Sequence, residues 1–315
     1  MSESPFGQAQ SPDWVAASSK LNAAVSVAFT EGPAVDAEGN VFFSDIINDR
    51  ILKFSTQGRL SVFRQDSGRT NGNMFDQQGR LVSCEGSEWG PRGGRRVVRT
   101  DMKTEQIEVL SDRFEGKRYN SPNDLTIDNQ GRIYFTDPCY GDRALMEMEE
   151  EAVYRIDIDG TVKQVLKQPE IERPNGIVIS PDNRILYVVD SSASLGGNRK
   201  IWAFDIQVDD ALVNQRVIYD FAPGRGADGI RVDAQGNLWI AAGILMPRGE
   251  GESSINPPGI YVVDPLGKLL GFISVPEDVI TNLAFGGADK KTAYITAGNT
   301  LFQIRLTVPG WSVYP

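Results

Sequence analysis

The chain has 315 residues, 32 basic and 42 acidic for a net charge of −10, two cysteines and no histidine. The acidity leaves only the short Arg92–Arg99 stretch as a basic cluster, which excludes a nucleic-acid face. Without histidine there is no Ser-His-Asp or Cys-His machinery and no His-rich zinc site, and Cys84 and Cys139 are too few for a thiolate cluster or a disulfide framework.

In chain order, the N-terminus Met1-Ser-Glu-Ser-Pro-Phe-Gly-Gln has no basic region followed by an apolar core, so no secretory signal is expected in the chain as given. Roughly the first 20 residues are expected to be loosely ordered, and Leu21–Phe29 is expected to form a strand. A pattern then recurs. Glu31-Gly-Pro-Ala-Val-Asp36 turns through Gly39 into Asn40–Asp45, followed by Arg50–Phe54 and Leu60–Phe63. Asn71-Gly-Asn-Met-Phe-Asp76 turns through Gly79 into Arg80–Glu85. Asn123-Asp-Leu-Thr-Ile-Asp128 turns through Gly131 into Arg132–Asp137, with Val153–Ile156 and Val162–Leu166 behind. Asn175-Gly-Ile-Val-Ile-Ser180 leads through Pro181–Asn183 to Arg184–Asp190, and Asp228-Gly-Ile-Arg-Val-Asp233 through Gly236 to Asn237–Ala242. A sixth copy, Thr281-Asn282-Leu-Ala-Phe-Gly286, fits less well and runs on through Thr292–Thr296 and Leu301–Leu306. The turn residues supply positive φ or side-chain acceptors, so each copy reads as linked hairpins.

Glycines 39, 79, 131 and 236 set spacings of 40, 52 and, over two copies, 105 residues. Four strands per copy and six copies predict an all-β fold, a six-bladed β-propeller with four-stranded antiparallel blades around a central channel. Length alone suggests two domains, but a ring of blades is one closed unit, so residues 1–315 are expected to form a single domain. The sixth copy lacks one strand, and the N-terminal strand is expected to complete it. No helical periodicity is seen, and no run of about 18 apolar residues that could cross a membrane as a helix. With two cysteines and no leader, a cytoplasmic location is expected, a processed or periplasmic form remaining open.

One slot carries a side-chain oxygen in five copies: Glu31, Asn71, Asn123, Asn175 and Asp228. Taken singly, Asn-Gly and Asp-Gly are ordinary turn dipeptides. A turn slot would also admit Ser or Gly, yet this one holds only Glu, Asn or Asp, and a separate turn signal follows each strand. If the copies circle an axis, these oxygens converge on it. Oxygen donors without nitrogen or sulfur suit calcium or magnesium, with manganese possible.

These residues carry a resemblance. Thr30-Glu-Gly-Pro33, Thr70-Asn-Gly72, Asn120-Ser-Pro-Asn-Asp124, Tyr134-Phe-Thr-Asp-Pro138, Arg173-Pro-Asn-Gly176 and Ala227-Asp-Gly-Ile-Arg-Val-Asp233, taken in order, resemble the senescence-marker-protein/regucalcin/gluconolactonase family, closest to its bacterial gluconolactonases. The likeness covers about residues 28–306. It implies one catalytic divalent metal in the channel, calcium first, with magnesium, manganese or zinc as alternatives. It implies Glu31, Asn175 and Asp228 as ligands, with Asn123 a fourth ligand or a substrate contact, and Asp228 as general base or nucleophile. Asn71, Asn120 and Asp137 match pocket positions, and Arg118 is placed to reach sugar hydroxyls or, equally, to be a solvated loop arginine. The chain departs from the family pattern at two inserted segments, 86–94 and 243–258, and at Asn282, which is offset by one.

The leading expectation is a metal-dependent lactonase, a carboxylic ester hydrolase acting on a small-molecule sugar lactone, with no nucleic-acid, membrane or obligate protein partner. The alternatives are a phosphotriesterase of the diisopropylfluorophosphatase type and a non-catalytic, metal-containing binding propeller.

Overall fold

The computed structural model describes residues 14–16, 18–87, 93–247 and 251–313. The first 13 residues, expected to be loosely ordered, lie outside the described residues, as do 88–92 and 248–250 within the two inserted segments. Six four-stranded antiparallel sheets form a ring, a six-bladed β-propeller. Blade one is Thr30–Val35, Val41–Asp45, Arg50–Phe54 and Leu60–Gln65 from the axis outward, and blade two begins with Thr70–Phe75. The inner strands of blades three to six are Leu125–Ile127, Pro174–Ile179, Ala227–Val232 and Ile280–Gly286. In blade six the outermost strand is Asn22–Ser26, from the opposite end of the chain, paired antiparallel with Thr300–Arg305. That pairing of N-terminal with C-terminal strands ties the two ends of the chain together and closes the ring.

The second strands are apolar without alternation because both of their faces are covered. Val41–Asp45, Leu81–Glu85 and Leu238–Ala242 are buried at every position, since each blade stacks on the next. Val82, Cys84 and Val97 of blade two pack against Leu125, Phe135 and Tyr154 of blade three, and Trp239 of blade five lies edge-on to Phe285 of blade six. Each such aliphatic side chain stabilises by about 1.5–3 kcal/mol on burial.

The turn acids that recur from copy to copy close the hairpins. Asp128 Oδ1 accepts from the backbone N–H of Gln130 and Arg132, both at 2.9 Å, and Asp233 does the same for Gln235 and Asn237. The glycine beside each acid sits at positive φ (+86° at Gly131, +87° at Gly236), where a Cβ is disfavoured. These acids are thereby committed to the rim opposite the candidate site.

Candidate metal centre and active site

Five of the six inner strands slip register near their start, and the slip aligns those copies. In blade one, Thr30 pairs with Asp45, then the register slips by one so that Ala34 pairs with Phe42. The same slip follows Thr70, Pro174, Ala227 and Ile280, which pair with Glu85, Asp190, Ala242 and Ala297. The residue after each of these is Glu31, Asn71, Asn175, Asp228 and, in blade six, Thr281; Asn123 holds that place in blade three, its N–H donating to Thr136 O. A bulge re-aims a side chain, here at one level around the axis. The sixth member is therefore Thr281, whose hydroxyl is spent on Thr30 O and Thr296 O, and Asn282 belongs to the next level.

That next level explains how the ring closes so tightly. It holds Gly32, Gly72, Asp124, Gly176, Gly229 and Asn282. A Cβ on Gly32 would lie 2.1 Å from Asn71 O, and one on Gly176 would lie 2.4 Å from Asp228 O. Neighbouring inner strands touch there by backbone, so only hydrogen fits. The two side chains that are allowed come from blades three and six, opposite one another in the ring. They meet across the axis: Asn282 Nδ2 donates to Asp124 Oδ2 at 3.2 Å. Arg231 joins them with a bidentate pair to Asp124 at 3.0 and 3.2 Å. This buried cluster floors the candidate site. Beyond it the channel is apolar, lined by Ala34, Phe75, Val178 and Phe285 and approached by Trp311 and Val313 near the C-terminus.

Above the floor, Glu31, Asn71, Asn123, Asn175 and Asp228 are each between 3 and 7 % exposed, so the group is almost wholly enclosed. The carboxamide oxygen Oδ1 of Asn71 is buried with no hydrogen-bond partner. Asn175 donates Nδ2 to Tyr140 Oη at 2.8 Å and hydrogen-bonds Asp228, which leaves its carbonyl oxygen as the acceptor. One oxygen of Glu31 receives the Gly32 N–H at 3.0 Å. Burial pushes the Asp228 carboxyl up to about 6; Arg225 and Asn175 oppose the rise, and the Asp124 charge adds to it. Among the described residues no three of His, Cys, Asp and Glu gather as a metal cluster, so a cation here depends on carboxamide oxygens. The residues fit one: two carboxylates, several amide oxygens and an orphaned buried acceptor are the donor chemistry of a hard divalent ion.

The other candidate residues divide. Asn120 lies beside the ring with Nδ2 donating to Asp137 O and Glu150 O and with its Oδ1 buried and unpartnered. Asp137 stands behind it. Its two carboxylate oxygens accept the N–H groups of Asn120 and Ser121 at 2.8 and 2.7 Å, and the side chain is fully enclosed. Burial pushes its carboxyl up to about 7 against those two donors. Asp137 thus supports the segment carrying Asn120 and Asn123, as Asp190 does for the Glu172 and Arg173 N–H groups in blade four. Arg118 sits on the rim, its Nη2 donating to Gly94 O at 3.2 Å.

Three residues absent from the sequence expectations reach this place. Tyr140 leaves the second strand of blade three to touch Asn175, with Arg173 over its ring at 5.5 Å. Arg225 donates to Asp228 Oδ2 at 3.2 Å, and Glu252 of the second inserted segment faces Arg225 at 3.8 Å. A phenol in a loop and an Arg three residues before Asp228 carry no pattern of their own.

A family model described as the SMP-30/gluconolactonase/LRE-like region matches residues 29–299. The chain is similar to a gluconolactonase of Zymomonas mobilis subsp. mobilis, 30% identical over 303 residues, covering 90% of this chain and 80% of the relative. Among solved structures it superposes on a putative gluconolactonase with a TM-score of 0.80 at 29% identity, covering 95% of this chain and 96% of the other. It is also similar to XC5397 of Xanthomonas campestris, described as a gluconolactonase important in glucose secondary metabolic pathways, with a TM-score of 0.77, 30% identity, and 96% and 98% coverage.

Proposed function

The chain belongs to the SMP-30/gluconolactonase/LRE-like family, and on that premise we propose that it is a metal-dependent lactonase that opens a sugar lactone by hydrolysis. The observation that carries this reading is the single level of oxygen donors at Glu31, Asn71, Asn123, Asn175 and Asp228, enclosed above a sealed floor. Glu31, Asn123, Asn175 and Asp228 would hold one divalent cation, calcium first. The ion's contribution is to polarise the ester carbonyl and stabilise charge on its oxygen.

The chain's own residues do the rest. Asp228 accepts the proton of the attacking water as that water bonds to the acyl carbon; the acyl C–O bond to the ring oxygen then breaks, and Asp228 returns the proton to that oxygen, which leaves as an alcohol. Asn71, Asn120 and Arg118 line the way in and bind substrate hydroxyls through amide and guanidinium groups. Asp137 keeps the Asn120 segment in place from behind. The Asp124–Arg231–Asn282 floor shuts the channel, so substrate enters and leaves by one mouth.

The test uses D-glucono-lactone and follows acid release. Protein stripped with a chelator should lose activity and regain it with calcium, while Asp228→Asn should fall by about 100-fold or more in kcat. Calcium bound without turnover of lactones, but with hydrolysis of an organophosphate, would move the activity to a phosphorus centre; binding with neither would leave a non-catalytic propeller.

A further inference from the structure

Arg225 lies three residues before Asp228, in the loop that leads into the inner strand of blade five. Its Nη2 donates to Asp228 Oδ2 at 3.2 Å. Its Nε lies 3.8 Å from Glu252 Oε1, and its Nη1 is buried without a hydrogen-bond partner. The two side chains of the outer pair are 17% and 9% exposed, so this ion pair is shielded from water and counts for more than a surface pair.

Glu252 arrives on the inserted segment 243–258, and that segment is fastened on both flanks. Ile244 N–H donates to Asn256 O at 3.1 Å, and Asn256 Nδ2 donates to Phe221 O at 2.6 Å. Ser253 Oγ donates to Pro223 O at 3.1 Å, Arg199 donates to Gly251 O, and Asp278 accepts the Leu245 N–H at 2.7 Å. Its anchors therefore fix Glu252, Glu252 faces Arg225, and Arg225 holds Asp228.

We infer that Arg225, held by Glu252 of the inserted segment, is a positioning residue that keeps Oδ2 of Asp228 away from the divalent ion and leaves Oδ1 as its working oxygen. The inference rests on the metal-dependent reading above. A carboxylate can clasp a calcium ion with both oxygens. One oxygen already receiving a guanidinium N–H is less available, and the guanidinium charge repels a cation that comes within a few ångströms. An Asp clasped through both oxygens is a ligand only. An Asp held by Arg225 through one oxygen keeps a defined orientation and can accept a proton from water. Arg225 thereby trades ion affinity for catalytic alignment, and the two quantities should move in opposite directions when it is removed.

The experiment uses the full chain with Arg225→Met and Arg225→Lys. Calcium binding to stripped protein is measured by titration calorimetry, and lactone hydrolysis is measured at saturating calcium. With the neighbouring guanidinium charge gone, Arg225→Met should bind calcium about ten-fold more tightly and lose at least ten-fold in kcat with a smaller change in KM. Arg225→Lys keeps the charge but not the fork, so it should bind calcium like the parent and still lose kcat. Weaker or unchanged binding in Arg225→Met, with a lower melting temperature, would make Arg225 a packing residue and overturn the inference. Should Arg225→Met fail to fold, parental kcat in Arg225→Lys overturns it. A parent protein that binds calcium but opens no lactone defeats the lactonase reading alone, because tighter calcium binding in Arg225→Met is measured without turnover.

Discussion

Asn175 shows how much of this site rests on single atoms. An amide has one acceptor and one donor end, and only the acceptor can face a cation. Tyr140 Oη and Asp228 occupy the donor end, so the carbonyl is turned by elimination. Partners of this kind orient first ligands and commonly tune ion affinity 10–100-fold. Tyr140→Phe should therefore weaken calcium binding by about ten-fold while leaving the melting temperature of the stripped protein near that of the parent, since the ring is 39% exposed and little packing is lost. Calorimetric titration beside a thermal melt checks this; a calcium affinity equal to the parent's would show that Asn175 needs no help from the phenol. The repeat made Asn175 legible in the sequence and could not make Tyr140 so. Tyr140 comes from a loop outside the repeated strands, and what places it is where that loop folds back.

The inner strand with its bulge is the element that turns a linear repeat into a ring of donors. Its slot was readable as Glu31, Asn71, Asn123, Asn175 and Asp228 because the repeat admits only Glu, Asn or Asp there; in blades two, four and five the residue before it is the last pair ahead of the register slip. Blade six broke the pattern for a reason that only the register shows: Thr281 fills the slot and binds backbone carbonyls, while Asn282 sits one step deeper. Asp45, Asp137 and Asp190, which stand at the ends of second strands, hold the loop before the inner strand of their own blades, and Asp137 is fully enclosed. Its folded carboxyl stands at about 7 against an ordinary value of 3.8. A raised carboxyl stabilises the fold in its protonated form. Its contribution is complete below about pH 3.8 and is lost as pH rises through about 7. The stability of the stripped protein should therefore slope downward across that window, and Asp137→Asn should flatten the slope. Urea unfolding at several pH values measures it; an unchanged slope in the variant would assign the dependence to other buried acids.

At the scale of the whole molecule, six sheets close around an axis that is barred in the middle. The ring itself was legible from turn glycines and strand count, because those are local. The bar was not, because it joins residues 107 and 158 positions apart in the chain. Asp124 and Arg231 each stand inside a repeated strand motif, and nothing in the spacing of either motif pairs them. Together with Asn282 they tie blades three, five and six across the centre, where no backbone hydrogen bond can reach. With side-chain exposures of 7% and 1%, the Arg231–Asp124 pair has few solvent contacts to fall back on. Removing one partner strands a buried charge, which typically costs about 3–5 kcal/mol, whereas replacing both with apolar groups of similar volume is often close to neutral. Asp124→Leu and Arg231→Met should each destabilise by several kcal/mol, on the order of 3–5, and the double variant should recover most of that loss. Denaturant unfolding of the four proteins gives the coupling directly. Additive losses would mean that the two groups are satisfied separately, and the floor of the site would then rest on the glycine-lined backbone ring alone.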